Sequence, residues 1–461
     1  MFKKVQFIGT AICTTPANLN SIEGTSDDGY YAGLPKDDED LAARVNLIKR
    51  SIQQAILSSE TDLSKETLKI FVLPEFFMRG ALGAYYHAFP YYAEVILTEQ
   101  FKQALKELNE SGIEIGRDYL FVLGTILSSD HKIDYTKEPD LSLYQTGDHL
   151  LDLYYRLHPD TKLNSIIENS NDRKDSIAGG ISSSGISRFL KVLDHKSVSE
   201  LLNLTLNAAE NDPDDAYVDV LKKTLDYCDA QASLEIGNRC LVICGTDLLA
   251  GETNTLSSSA YEPVIVQKKY KSKEDFILNN KNNNQVTSAE KYLQTTTRYP
   301  DFDISKGENK KYPSDGLAIF EYDGLRIGID ICLDHSSQRL VNHLYKNPDD
   351  YVDIQIVTSC GMSVRTNAVI AKEGGIIFNC DGEYELKDDK AGVDGNCCHT
   401  SLQKVVQSIH VRDNEVKENA VLSDAYSVAE KIPCFVPKDM PLYRFKDYQI
   451  HIYEAVEVGE S

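Results

Sequence analysis

Tryptophan is absent from this chain of 461 residues, and only four methionines occur in it. No apolar run approaches the roughly 20 residues that a spanning helix needs, so a membrane partner is not expected. Positive charge is also short: 48 lysines and arginines stand against 71 aspartates and glutamates, for a formal net charge of -23. A field of that sign repels phosphate backbones and anionic headgroups, which argues against nucleic acid as a partner too. Nor does a long Pro/Gly/Ser-rich linker mark a domain boundary, so residues 1–461 are read as one elaborated domain. The ten cysteines are scattered, mostly within apolar runs such as those holding Cys240, Cys244 and Cys380. That usage suits a reducing, cytoplasmic setting. Cys397-Cys398-His399 lacks a second Cys/His pair at finger-like spacing, so no metal site is expected there.

What is present is an ordinary apolar fraction, 42%, enough to bury a large core. The start could suggest a secretory signal, but Gln6, Gly9 and Thr10 interrupt its apolar stretch, and residues 5–8 read better as a first buried strand. A helix is expected from about Asp40, taken as its N-cap, with Leu41, Val45, Ile48, Ile52 and Ile56 on one face. A strand over 69–73 follows, then a helix carrying Leu97, Phe101, Leu105 and Leu108, then a strand over 119–126. Further strands are expected at 240–245, 263–267, 317–322, 325–331, 354–358 and 375–379. Such alternation indicates an α/β chain with a mostly buried sheet. Residues 130–234 change texture and are read as a helical and loop insertion. The polar patch at 279–285 is read as a solvated loop, and a short echo between 114–125 and 235–246 is too brief to establish a repeat.

Three strand ends carry residues suited to chemistry. In Gly328-Ile329-Asp330-Ile331-Cys332-Leu333-Asp334 a buried strand delivers a thiol to a strand-to-helix turn, where a helix dipole favours thiolate and nearby amides can face an oxyanion. The alternative is a core thiol beneath a helix. Phe71-Val72-Leu73-Pro74-Glu75-Phe76-Phe77 sets a carboxylate among apolar neighbours, which raises its pKa toward that of a general base; a glutamate turned to solvent is the plainer reading. In Val264-Ile265-Val266-Gln267-Lys268-Lys269, strand alternation puts Lys268 on the face of Val264 and Val266. A solvated lysine cluster is the plainer reading there.

The order glutamate, lysine, cysteine, each at a strand end, resembles the nitrilase (carbon–nitrogen hydrolase) superfamily. Residues 71–77 look like its glutamate motif, 264–271 its lysine strand and 328–334 its nucleophile elbow. Residues 4–11, the first helix, 352–361, a helix and strand over 367–382, and a strand at His399-Thr400-Ser401 are similar to other parts of the same fold. The resemblance implies a four-layer αββα sandwich with a large insertion, paired into a homodimer or higher homo-oligomer. It also implies a Glu75-Lys268-Cys332 triad that cleaves a non-peptide C–N bond of a small amide-like substrate through a thioester, with no metal or organic cofactor. Leu153-Tyr154-Tyr155-Arg156-Leu157-His158 also looks like the lysine motif, but with arginine where lysine belongs; Lys268 is preferred because a guanidinium fork is not interchangeable with a compact ammonium.

A second, supporting glutamate is assigned to Glu290, and His335, Ser336 and the 359–363 loop are candidates for the pocket wall. Cys332-Leu333-Asp334 is more similar to the amide-cleaving than to the nitrile-cleaving branch, which typically has tryptophan after the nucleophile. The competing readings are an inactive binding or regulatory protein of the same fold, an acyltransferase using the same thioester, and a cysteine peptidase with His335, His343 or His399 as base.

Overall fold

The computed structural model describes residues 2–15, 32–81, 83–86, 92–133, 232–245, 263–270, 275, 278–279, 286–287, 318–383, 399–438, 440, 442–443 and 446–458. Most of the expected insertion at 130–234, with Arg156 in it, lies outside these residues, as do Glu290, Cys397 and Cys398. The chain divides into two compact units, one of Met1–Tyr85, Leu97–Leu127 and Gly237–Ser461, the other of Tyr86–Ile96 and Ser128–Ile236.

The chain mixes sheets and helices in an α/β arrangement. Its first part supplies β1 (Lys4–Ala11), α1 (Asp37–Leu57), β2 (Thr67–Val72), β3 (Tyr85–Tyr86), α2 (Tyr92–Glu110) and β4 (Tyr119–Ile133). Next come β5 (Ala232–Cys244), β6 (Val264–Gln267), β7 (Leu278–Asn279) and β8 (Val286–Thr287). Then follow β9 (Ile319–Tyr322), β10 (Leu325–Ile331), two short helices α3 (Leu333–Ser336) and α4 (Arg339–Leu344), β11 (Val352–Ser359), β12 (Ala371–Asp381) and β13 (His399–Gln407). The last strands are β14 (His410–Arg412), β15 (Glu415–Glu418), β16 (Val421–Leu422), β17 (Val428–Phe435), β18 (Asp447–Tyr453) and β19 (Val456–Glu457).

One sheet has the order β17-β18-β1-β2-β4-β5-β6, and a second has β16-β13-β12-β11-β10-β9. Both are parallel at the centre, β1 with β2 and β2 with β4 in one, β10 with β11 and β11 with β12 in the other. Antiparallel strands flank these centres. Parallel strands covered on both faces are continuously apolar, and β2 is buried at every residue.

The inner faces of the sheets share one core that includes Phe7, Ile70, Val72, Val122, Ile329, Ile356 and Phe378. Phe7 stacks on Phe378 with ring centroids 4.7 Å apart, and Tyr453 meets Phe378 edge-on. Gly9 permits a close approach, since a Cβ there would lie 2.5 Å from Thr400 Cγ2. The Cys380 thiol reaches across to the carbonyls of Thr10 and Val72, 3.5 Å from each. On the outer face of the first sheet Phe101 of α2 meets Phe121 edge-on, and Ser51 of α1 bonds the Tyr448 hydroxyl.

Two expectations are corrected. Asp40 does not cap α1: the helix begins at Asp37, the Asp40 amide already donates to Lys36, and its carboxylate is buried against Arg44. Four acids in a row at Asp37–Asp40 suit a helix N-terminus, and the first of them starts it. Residues 366–368 form only one 3₁₀ turn before β12, instead of a full helix. The C-terminal segment supplies β17 and β18, with Ile452 opposite Ile8 of β1. The strands β7 and β8 pair on either side of the polar patch, whose residues 280–285 lie outside the described set.

Candidate active site

Glu75, Lys268 and Cys332 come from three different strand ends and share one buried site. β2 and β10 each belong to the parallel centre of their own sheet, and residues that project beyond the carboxyl ends of such strands can converge. Leu73 still bonds Val122 of β4, so the β2 ladder continues almost to Glu75. Beyond it the chain turns sharply, with φ 61° at Phe76. Gly124 makes room for that turn: a Cβ there would lie 2.2 Å from the Pro74 carbonyl, and its own φ is +62°. Thr125 accepts the Phe76 amide (2.8 Å), and Thr14 donates to the Glu75 carbonyl (2.6 Å). Arg44 of α1, itself paired with Asp40, donates to the carbonyls of Phe77 and Arg79 (2.8 Å each) and of Leu442 (3.0 Å). The glutamate loop is therefore held by β1, β4, α1 and the C-terminal segment together.

The thiol is held as firmly. Cys332 donates its amide to Thr358 (2.9 Å), continuing the β10–β11 ladder, and adopts φ 46°, ψ -104°. A non-glycine residue in that region is strained, and such strain persists where the surrounding structure over-determines it. Asp334, two residues on, accepts the amides of Lys269 (2.9 Å) and Tyr270 (2.8 Å) and the guanidinium of Arg339 (2.9 Å). Arg339 also donates to the Gln267 carbonyl (2.8 Å). The turn that carries the thiol is thus bolted to the peptide that carries Lys268.

The Lys268 ammonium donates to Glu75 Oε1 (2.7 Å) and Asp275 Oδ2 (2.8 Å). Asn238 of β5 donates to the same Glu75 Oε1 (2.9 Å) and to Asp275 Oδ1 (2.5 Å). Glu75 Oε2 accepts no hydrogen bond. Burial raises the Glu75 carboxyl to about 7, because desolvation and the nearby Asp275 outweigh the attraction of Lys268. Burial works against the Lys268 charge, but Asp275 and Glu75 overcome it and hold the ammonium firmly protonated. The Cys332 thiol is pushed well above its ordinary range by burial and by the nearby charge of Glu75, while its hydrogen bond goes to the Cys360 carbonyl (3.9 Å). Its resting form is therefore the thiol. The expectation that a helix dipole would favour thiolate fails, because α3 is a single turn and has little dipole to offer against desolvation.

Asp275 and Asn238 escaped sequence reasoning. Asp275 is the acid that bonds Lys268, seven residues after it, whereas the supporting role assigned to Glu290 falls outside the described residues. Lys269 gives its amide to Asp334 and follows the lysine that meets Glu75. His335 is fully buried: Nδ1 donates to Asp330 (3.0 Å) and Nε2 accepts the Arg365 amide (2.9 Å). With both ring nitrogens engaged internally, it has none to present to a ligand or to a thiol. His343 is paired with Asp350. In the 359–363 loop, Ser359 is buried on Asn379 and Asp381 (2.9 Å each), while Gly361 and Ser363 are exposed. Among the described residues no cluster of metal-ligating side chains occurs, and no helix is long and apolar enough to cross a membrane.

The sequence matches no family model and no curated protein. What the site can do rests on its own geometry: a thiol donor, a carboxylate with one unengaged oxygen and a fixed ammonium, all secluded from water. Such a set can move a proton, form a covalent bond to carbon and hold a developing anion.

Proposed function

We propose that this chain is a thiol hydrolase of the nitrilase (carbon–nitrogen hydrolase) type, an αββα sandwich that cleaves a small carboxamide or N-carbamoyl-like substrate. The observation that carries this reading is the strained backbone of Cys332 beside a carboxylate whose pKa lies near neutrality. A buried thiol that is protonated at rest needs a base within reach, and a carboxylate titrating at about 7 is matched to that task. Glu75 takes the thiol proton on Oε2 as sulfur attacks the carbonyl carbon. Lys268 and the Leu333 amide after the elbow hold the oxyanion. Glu75 then returns the proton to the leaving amine, the C–N bond breaks, and a thioester remains on Cys332. Water, deprotonated by Glu75, attacks the thioester; acid leaves, and the proton goes back to sulfur. Lys268 keeps its proton throughout, since Asp275 balances its charge whenever Glu75 is neutral.

Cys332-Leu333-Asp334 favours an amidase over a nitrilase. The test offers matched amide and nitrile panels to the purified protein and measures release of ammonia or amine. Release from amides, faster than from the corresponding nitriles and lost in Cys332→Ala, is expected. Faster turnover of nitriles would overturn the branch, and no release from either panel would overturn the hydrolase reading.

A further inference from the structure

Asn238 takes no part in the steps above, yet it is fully buried at their centre. Its Nδ2 joins Glu75 Oε1 to Asp275 Oδ1, and its backbone carbonyl accepts the Lys268 amide (2.8 Å). Its own Oδ1 accepts no hydrogen bond. A buried acceptor left unsatisfied is costly, and such costs gather where a group is held for function. The orientation of the amide is fixed by charge, because the flipped form would set Oδ1 against two carboxylates.

We propose that Asn238 is a positioning residue for the base: with Lys268 it saturates Glu75 Oε1, so that Oε2 alone is open to the proton of Cys332. The inference rests on Glu75 acting as base toward Cys332. Four groups from four places bear on the Glu75 carboxyl: Lys268 after β6, Asp275 from the segment beyond it, Cys332 after β10 and Cys360 after β11. The Asn238 amide is a neutral donor beside them. It favours the ionised carboxylate, so its loss moves the titration of Glu75 upward.

The test uses the full chain and needs no substrate. The rate of alkylation of Cys332 by iodoacetamide is measured against pH in the parent protein and in Glu75→Gln, Asn238→Ala and Asn238→Asp. The parent should show a rise centred near 7 that Glu75→Gln removes. Asn238→Ala should move that rise up by about one unit while keeping its plateau. Asn238→Asp, which keeps the size of the side chain and reads the same shift where alanine does not fold, should move it further by adding a carboxylate. A residue that merely supports the fold would lower the rate at every pH and leave the midpoint in place. A midpoint unmoved in the folded variants overturns the inference while the base assignment stands. A parent protein with no rise that depends on Glu75 overturns the base assignment itself.

Discussion

Glu75 carries a proton in the folded protein up to about pH 7, whereas the unfolded chain releases it near the ordinary carboxyl value. The folded state therefore binds the extra proton between those values. This group's contribution to stability is fully present below about pH 4.5 and is lost as pH rises through about 7. Glu75→Gln, which cannot ionise, should be the more stable protein above neutrality by on the order of 1–3 kcal/mol and should lose that advantage toward pH 4.5. Urea unfolding at pH 5 and pH 8 reads the difference, and an equal difference at both would contradict the assignment. Under the proposed mechanism activity should have the opposite dependence, because only ionised Glu75 can accept the thiol proton: kcat/KM should climb through about pH 7. Lys268→Ala should lower kcat by on the order of 10²-fold or more. It also leaves Glu75 and Asp275 facing each other unneutralised, so circular dichroism must accompany the rate. Full activity of the folded Lys268→Ala protein would remove it from the mechanism.

At the scale of elements, each side chain of the candidate site is placed by a strand end and then locked by neighbours that sequence pattern does not reveal. The strands β1, β2, β4, β6, β10 and β11 were legible because each is an apolar run of strand length, and the strand-end positions of Glu75, Lys268 and Cys332 follow from those runs. Asp275 was not legible, since it follows Lys268 within a polar stretch that offers no register. Asn238 was hidden for another reason: a lone asparagine in a strand gives no sign of facing a carboxylate. The Gly124-Thr125 pair drew notice only as part of a short echo, whereas the fold uses it to seat the glutamate turn. Gly124→Ala tests that seat. A methyl group 2.2 Å from the Pro74 carbonyl, at a φ of +62°, must displace the turn. The variant should lose at least about 1 kcal/mol of stability and alkylate at Cys332 without the rise near neutral pH. Retention of that rise would show that the turn does not position the base.

Across the molecule, two sheets with parallel centres bring their strand ends together because their inner faces are pressed close, as at Gly9. The sheet edges were the part sequence concealed. β17 has exposed residues at every second position and holds Lys431 and Pro433, as edge strands do to resist further pairing, so it lacks the apolar run that marks the central strands. Phe378 links Phe7 to Tyr453 across the core, and Phe378→Ala should cost about 3–5 kcal/mol, seen as a lower urea midpoint with unchanged slope. A loss below 1 kcal/mol would mean that the sheets are held together elsewhere. The central claim is that Cys332 is a nucleophile served by Glu75, and peptide mapping after limited alkylation of the folded protein with a small haloacetamide tests it most directly. The account predicts that Cys332 is modified first among the ten cysteines and that Glu75→Gln slows this modification alone. Preferential modification of another cysteine, with Cys332 labelled at the same rate in both proteins, would contradict it.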